Sequence, residues 1–266
     1  MKSVVPHYIQ RQRRSVLGMS APLWSAFLVI LAIVMVDLIA RFGLVSRLEL
    51  VPVDEFVTRA IDLLADTSFV RNDLFRSLTS IAVSFVAASL GGIAIAYFMT
   101  QFRLLQETLG PYFDLFYAIP LFALYPVVVV LLGGGQLPII LLASTFSSVV
   151  VITNASVGFR ALPPITKKLA VSLQLSRLQQ FRLLLLPAAL PDILTGLKLG
   201  MSYTIIAVLA GEFILSPQGL GHAVANAYKT FDTAGLYAGI TIIAVFSLLT
   251  NFALSIFLSK FDWRRR

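Results

Sequence analysis

Two groups of side chains in this sequence are placed to do chemistry. Asp114, Lys198 and Glu212 stand in or beside long apolar stretches. A charge there is costly and faces a partner, an interface or a wet path, so this group moves or pairs charge. The second group is Arg160, Lys167, Lys168, Arg177 and Arg182, all in segment 160–192, which has no acid before Asp192. A basic, amphipathic interruption between apolar runs is chemistry for contact on the cytoplasmic side of a membrane. Catalytic sets are missing. The chain has no cysteine, and its two histidines, His7 and His222, are too far apart in sequence for a recognisable metal motif. No G-x-x-x-x-G-K-[ST] occurs, and Gly133-Gly134-Gly135-Gln136 lacks the lysine. The chain therefore reads as a protein without an active site, metal or cofactor of its own. If ATP drives it, another chain hydrolyses the nucleotide.

The shape of segment 160–192 follows from its residues. Pro163-Pro164 ends the preceding helix and can open a new one, because a first-turn proline loses no hydrogen bond. Ile165, Leu169 and Leu173 fall at i, i+4 and i+8, with Ala170 and Leu175 beside them and Lys167 and Lys168 off the stripe. Ser176-Arg177-Leu178-Gln179 fits a capping box, so a second helix starts at Arg177 after a corner at 174–176. Leu178, Phe181 and Leu185 continue its apolar face, and Pro187 and Pro191 mark entry to the next span. The first helix can seat in a groove of a partner protein. It can equally lie on the bilayer with its lysines on anionic lipid.

The elements that must position these groups are membrane spans. Of the 266 residues 58% are hydrophobic and only 13% charged, about half the share of a soluble domain. The net charge of +8 does not gather on a soluble face, which excludes nucleic-acid binding. An all-α, polytopic protein with six transmembrane helices is expected, at about 21–40, 78–100, 112–132, 137–159, 188–215 and 235–258. The first is read as an uncleaved span, and a short surface helix is expected near 56–64. Prolines 120 and 126 interrupt the third span, around which Phe113, Phe116, Tyr117, Phe122 and Tyr125 crowd. These aromatics line a path or pack against lipid and helices. Asp114 and Lys198 read as structural charges, Lys198 within snorkelling reach of the cytosol. Six spans put both ends on one side. That side holds Lys2, Arg11, Arg13, Arg14, Arg103, the basic residues of 160–182, Lys260 and Arg264–Arg266, and is cytoplasmic by the positive-inside rule. The layout is a cytoplasmic tail (1–20), a first span with external loop (21–73), a five-helix core (74–259) with a loop at 160–187, and a basic tail (260–266).

Segment 160–192 resembles the "EAA" loop of permease subunits of bacterial ABC importers, a pattern of E-A-A, three residues, Gly, then an apolar residue before Leu-Pro. Set on Leu186-Pro187, the Glu position is Lys168, the Ala positions are Leu169 and Ala170, and the Gly position is Gln174. Ser77-Leu78, Ala118-Ile119-Pro120, Ala123-Leu124-Tyr125-Pro126, Ser176-Arg177, Phe181-Arg182, Ala210-Gly211-Glu212 and Gly219-Leu220-Gly221 resemble the nitrate/sulfonate/taurine branch, in order over about residues 70–260. The resemblance implies a type I (MetI-like) permease fold and a homodimer in the bacterial inner membrane. It implies two ATPase subunits carrying ATP and Mg, a periplasmic or lipid-anchored solute-binding protein, and a small anion or organic acid as cargo. It makes Ile165, Lys168, Leu169, Ala170, Leu173, Gln174 and Leu175 the contact to the ATPase, and sets Glu212 beside an outward gate; Phe122 and Tyr125, from the aromatic crowd around Pro120, are the candidates for the path. A gradient-driven transporter or channel without an ATPase is the rival reading.

Overall fold

A computed structural model describes residues 21–116, 120–161, 163, 165–166, 170 and 172–261. The described residues form helices and connecting turns, with no strand among them. Helix α1 is Ala21–Arg41 and α2 is Val53–Ala65. Helix α3 is Thr67–Gln101, α4 Arg103–Phe116, α5 Leu121–Leu132 and α6 Gln136–Arg160. Helix α7 is Arg177–Leu215, α8 Leu220–Lys229 and α9 Thr233–Ser259. Five of these, α1, α3, α6, α7 and α9, are long and apolar enough to cross a membrane. The third expected span differs: it is two helices, α4 and α5, parted around Pro120. Proline lacks the N–H that would continue a helix and pushes the residue before it out of the helical region. The surface helix expected near 56–64 is α2.

The core is α3, α6 and α7. Small residues on α3 recur on one face, Ser77, Ser80, Ser84, Ala88, Gly92 and Ala96, and all are buried. They let backbones approach, the usual way apolar helices associate in lipid. Val151 on α6 is fully buried between two glycines. A Cβ at Gly92 would meet its side chain at 2.9 Å, and one at Gly200 at 3.0 Å. Around this centre an outer cluster gathers Ile81, Tyr125, Leu142, Ile205 and Val208, and an inner one gathers Met99, Ile152, Phe159 and Ile193.

Helices α3 and α7 run past the bilayer. At 1.5 Å per residue, the 35 residues of α3 and 39 of α7 span about 52 and 58 Å, against about 30 Å of hydrocarbon. Both contain a wider π turn, Val70–Leu74 in α3 and Phe181–Leu185 in α7. The second explains why Pro187 does not break α7. Leu186 N–H bonds to Phe181 O, five residues back, and the wider turn takes up the ring that would clash in a regular one.

On the expected outer side, α2 lies on the start of α9. Phe56 and Tyr237 stack at 5.9 Å, and Tyr237 Oη donates to Glu49 O at 2.8 Å. Asp66 starts α3, accepting from Ser68 N and Ser68 Oγ at 2.8 Å each, and these bonds hold its carboxyl below the usual range. Helix α1 is tied in at its C-terminal end, where Asp37 accepts from Val53 N at 3.0 Å and from Arg41 Nε at 2.8 Å.

Candidate functional site

The segment after α6 bends as its residues direct. Positions 165, 166, 170 and 172 are helical, and Leu175 N–H bonds back to Ala170 O at 3.1 Å. Ala170 is buried, Leu175 is half-buried, and Ile165 and Leu173 are exposed at 71% and 61%. Two apolar side chains are thus presented outward on a segment in which Ala170 is buried. Lys168 and Leu169 lie outside the described residues. Gln174 has φ +51°, the left-handed conformation that favours glycine. The corner keeps its turn although the family's glycine position is occupied by glutamine.

Ser176 then caps α7. Its hydroxyl accepts from Gln179 N at 3.3 Å, while Gln179 Oε1 accepts from Ser176 N at 2.8 Å, and Gln180 Nε2 ties back to Leu175 O at 2.8 Å. The helix starts at Arg177 as the capping box requires. Ser176→Ala is expected to lower stability by about 1 kcal/mol and to raise amide exchange at residues 176–180 while leaving the α3–α6–α7 core protected, as hydrogen exchange would read.

The root of this bend is bolted to the bundle by aromatic rings. Phe181 meets Tyr97 of α3 at 4.6 Å and Phe159 of α6 at 6.3 Å, and Tyr97 meets Phe159 at 6.2 Å. Edge-on ring contacts of this kind add about 0.5–1.5 kcal/mol each beyond burial. Phe181 thereby joins the base of α7 to both other core helices.

At the opposite end, Glu212 is 2% exposed. Its Oε2 accepts from Ser77 Oγ at 2.6 Å and from Gly221 N at 3.1 Å. Ser77 Oγ in turn accepts from Leu220 N at 2.8 Å, and Asp73 Oδ1 from Gly219 N at 2.8 Å. Arg76 Nη1 donates to Gln218 Oε1, and Gln136 Nε2 bonds Arg76 O at 3.3 Å and Ser80 Oγ at 3.2 Å. This lock fastens the turn between α7 and α8 onto α3. Both glycines are required by it. Gly219 has φ +111°, and a Cβ there would run into the Glu212 carboxylate. One at Gly221 would overlap Leu209 O and come within 2.8 Å of Glu212 Cβ.

Sequence reasoning found Glu212 but missed Asp73, Arg76, Gln136 and Gln218. The available signal was a polar stripe, Asp73, Ser77, Ser80 and Ser84, at i, i+4, i+7 and i+11 running into the apolar part of α3. Tyr125 is fully buried, lies against Gly211, and donates from Oη to Ala207 O. In this conformation neither Glu212 nor Tyr125 presents surface to a path. Asp114 and Phe122 sit on α4 and α5, their side chains outside the description. Lys198 is half-buried on α7 and forms no ion pair with a described residue. No group of three or more metal-ligating side chains occurs among the described residues.

Comparison with known proteins gives one answer. Residues 88–266 match the family described as "Binding-protein-dependent transport system inner membrane component". The chain is similar to the taurine transport system permease protein TauC of Escherichia coli. The two are 30% identical over 220 residues, covering 81% of this chain and 80% of that protein. It is similar to the nitrate import permease protein NrtB of Synechocystis sp., 28% identical over 178 residues, covering 67% and 65%. Among solved structures, a chain of the inward-facing MetNI methionine ABC transporter matches with a TM-score of 0.62 at 16% identity, covering 77% of this chain and 98% of that one. A chain of an amino acid ABC transporter matches with a TM-score of 0.58 at 17% identity, covering 78% and 96%. At those identities the structures speak to the fold alone.

Proposed function

We propose a transport cycle from one premise: the chain belongs to the family of binding-protein-dependent transport system inner membrane components, and is the permease subunit of an ABC importer. In our reading the cargo is a small anion or organic acid, the chemistry named for the taurine and nitrate relatives. Two copies enclose the path. A solute-binding protein delivers cargo at the end where Glu212 locks the α7–α8 turn. Two ATPase subunits hold ATP and Mg on the other side, where both termini and the bend at 163–175 lie. They grip Ile165, Lys168, Leu169 and Leu173, with Ala170, Gln174 and Leu175 setting the shape of the grip. ATP binding draws the two bends together, and the aromatic bolt passes that movement to α3 and α6, which reopen the path on the other side. Glu212 and Tyr125 contribute by holding the outer helix ends in register, and Phe122 stays the candidate on the path side. Lys198 and Asp114 keep their structural reading.

The observation that carries this reading is the exposed apolar pair Ile165 and Leu173, ahead of the corner that leads into α7. A helix resting on its own bundle would have turned those side chains inward. The test is reconstitution in proteoliposomes with the cognate ATPase and binding protein. Uptake of taurine or nitrate is expected only with ATP and all three components. Equal uptake by the chain alone would return the reading to a gradient-driven transporter or channel.

Phe181→Ala gives a second expectation here. The ATPase still binds and hydrolyses ATP, because the gripping side chains are intact. Uptake per ATP falls several-fold, because the bolt worth about 1–3 kcal/mol no longer ties the bend to Tyr97 and Phe159. Parallel measurement of hydrolysis and uptake checks it.

A further inference from the structure

At the lever end of the bundle, the last turn of α3, α4 and the last turns of α6 enclose a cavity of about 300 Å³. Its floor is apolar, made by Met99, Phe113 and Ile152, and its polar wall is Gln106, Ser156 and Arg160. Ser156 is 5% exposed, and its hydroxyl has no hydrogen-bond partner. The other hydroxyls of α6 behave differently. Ser144, Thr145, Ser148 and Thr153 each donate to a carbonyl three or four residues back, and Ser147 accepts from Thr204. A buried hydroxyl without a partner calls for one, a water or a ligand oxygen, and here it opens on a cavity. Arg160 stands one turn further on. Its Nε donates to Ser156 O at 3.1 Å. That bond holds the guanidinium beside the cavity and leaves its two terminal nitrogens without a partner among the described residues.

We propose that this cavity binds a small organic oxyanion, a sulfonate or carboxylate with a short apolar stem. The charged head lies on the Arg160 fork and the Ser156 hydroxyl, with the Gln106 amide in reach. The stem lies on Met99, Phe113 and Ile152. A guanidinium whose two terminal nitrogens have no partner among the described residues matches the paired oxygens of such a head. The volume leaves room for a few heavy atoms beyond it, since a water occupies about 30 Å³. That the anion comes from the cytosol rests on the permease reading, which puts Arg160 at the root of the lever.

The test uses the full importer, permease with ATPase subunits, in phosphatidylcholine nanodiscs without binding protein, titrated calorimetrically with ethanesulfonate. Saturable binding is expected, weakened at least about tenfold by Arg160→Gln, about threefold by Ser156→Ala, and abolished by Ser156→Leu, which fills the cavity. If the leucine variant does not fold, the alanine variant and a partial rescue by Arg160→Lys carry the decision. Unchanged affinity in Arg160→Gln, or no binding to the wild type, overturns the proposal. So does loss of ethanesulfonate binding when phosphatidylglycerol is added to the nanodisc, which would assign the cavity to a lipid phosphate. Binding-protein-stimulated ATP hydrolysis is read in the same nanodiscs. Its absence beside intact ethanesulfonate binding sinks the permease reading and spares the site; its presence without binding sinks the site alone.

Discussion

Leu173→Glu is expected to strip the ATPase subunits from the purified importer and reduce ATP-driven uptake to background. Leu173 is 61% exposed in the single chain, so the substitution removes no internal packing and the fold should keep its melting temperature. In the proposed complex the same side chain fills the partner's groove. Losing it forfeits about 1.5–3 kcal/mol of apolar burial, and the glutamate adds the cost of a charge in an apolar seat. A loss of 2 kcal/mol or more is about a 30-fold drop in affinity. The proposed assembly has two such seats, which compounds the effect. Leu173→Ala should lie between, weakening association several-fold. Size-exclusion chromatography of the complex with parallel uptake assays reads both variants. An intact complex with normal uptake in Leu173→Glu would move the grip elsewhere on the chain.

The second large effect is at the opposite end. Glu212→Ala removes the acceptor for Ser77 Oγ and Gly221 N and opens a void beneath the α7–α8 turn. One buried donor left unpaired costs about 1–3 kcal/mol, and the void adds to it. The expected loss is about 3–5 kcal/mol, seen as a fall in melting temperature and in the yield of monodisperse protein. Glu212→Gln keeps a carbonyl oxygen for Gly221 N–H and should retain most of the stability and the transport. A glutamine variant that folds normally yet does not transport would put this side chain on the path itself. Gly221→Val should fail like the alanine variant, since its Cβ has no room beside Leu209 O and Glu212.

Much of this architecture was legible because it is written in local residues. The capping box at Ser176–Gln179 fixes the start of α7 by contacts within one turn, and pattern alone located it to the residue. Long apolar stretches located α1, α3, α6, α7 and α9 for the same reason. The division of the third span was half legible. Pro120 was visible as an interruption, but a proline in a membrane helix is tolerated when neighbours re-satisfy the freed groups, so its outcome depends on packing outside the local sequence. The lock around Glu212 was not legible. It joins Ser77 to Glu212 across 135 positions, and which side chains meet depends on the register of α3 against α7. That register is fixed by small residues, Gly92 and Gly200 against Val151, and not by any motif. The left-handed turn at Gln174 was legible by position and not by residue type: the corner expected at 174–176 and the family's glycine position both point to it, while glutamine itself gives no sign of it.

The absence of cysteine from the chain allows a direct measurement on the lever. A single Leu173→Cys substitution gives one thiol, on the exposed corner ahead of α7. A membrane-impermeant maleimide is expected to label it in inverted vesicles stripped of ATPase and not in intact cells. With the ATPase present, labelling should be blocked, and a short bifunctional crosslinker should join this position to the ATPase subunit. Labelling from outside intact cells, or labelling in vesicles that the bound ATPase leaves unchanged, would contradict a cytosolic lever gripped by a separate motor.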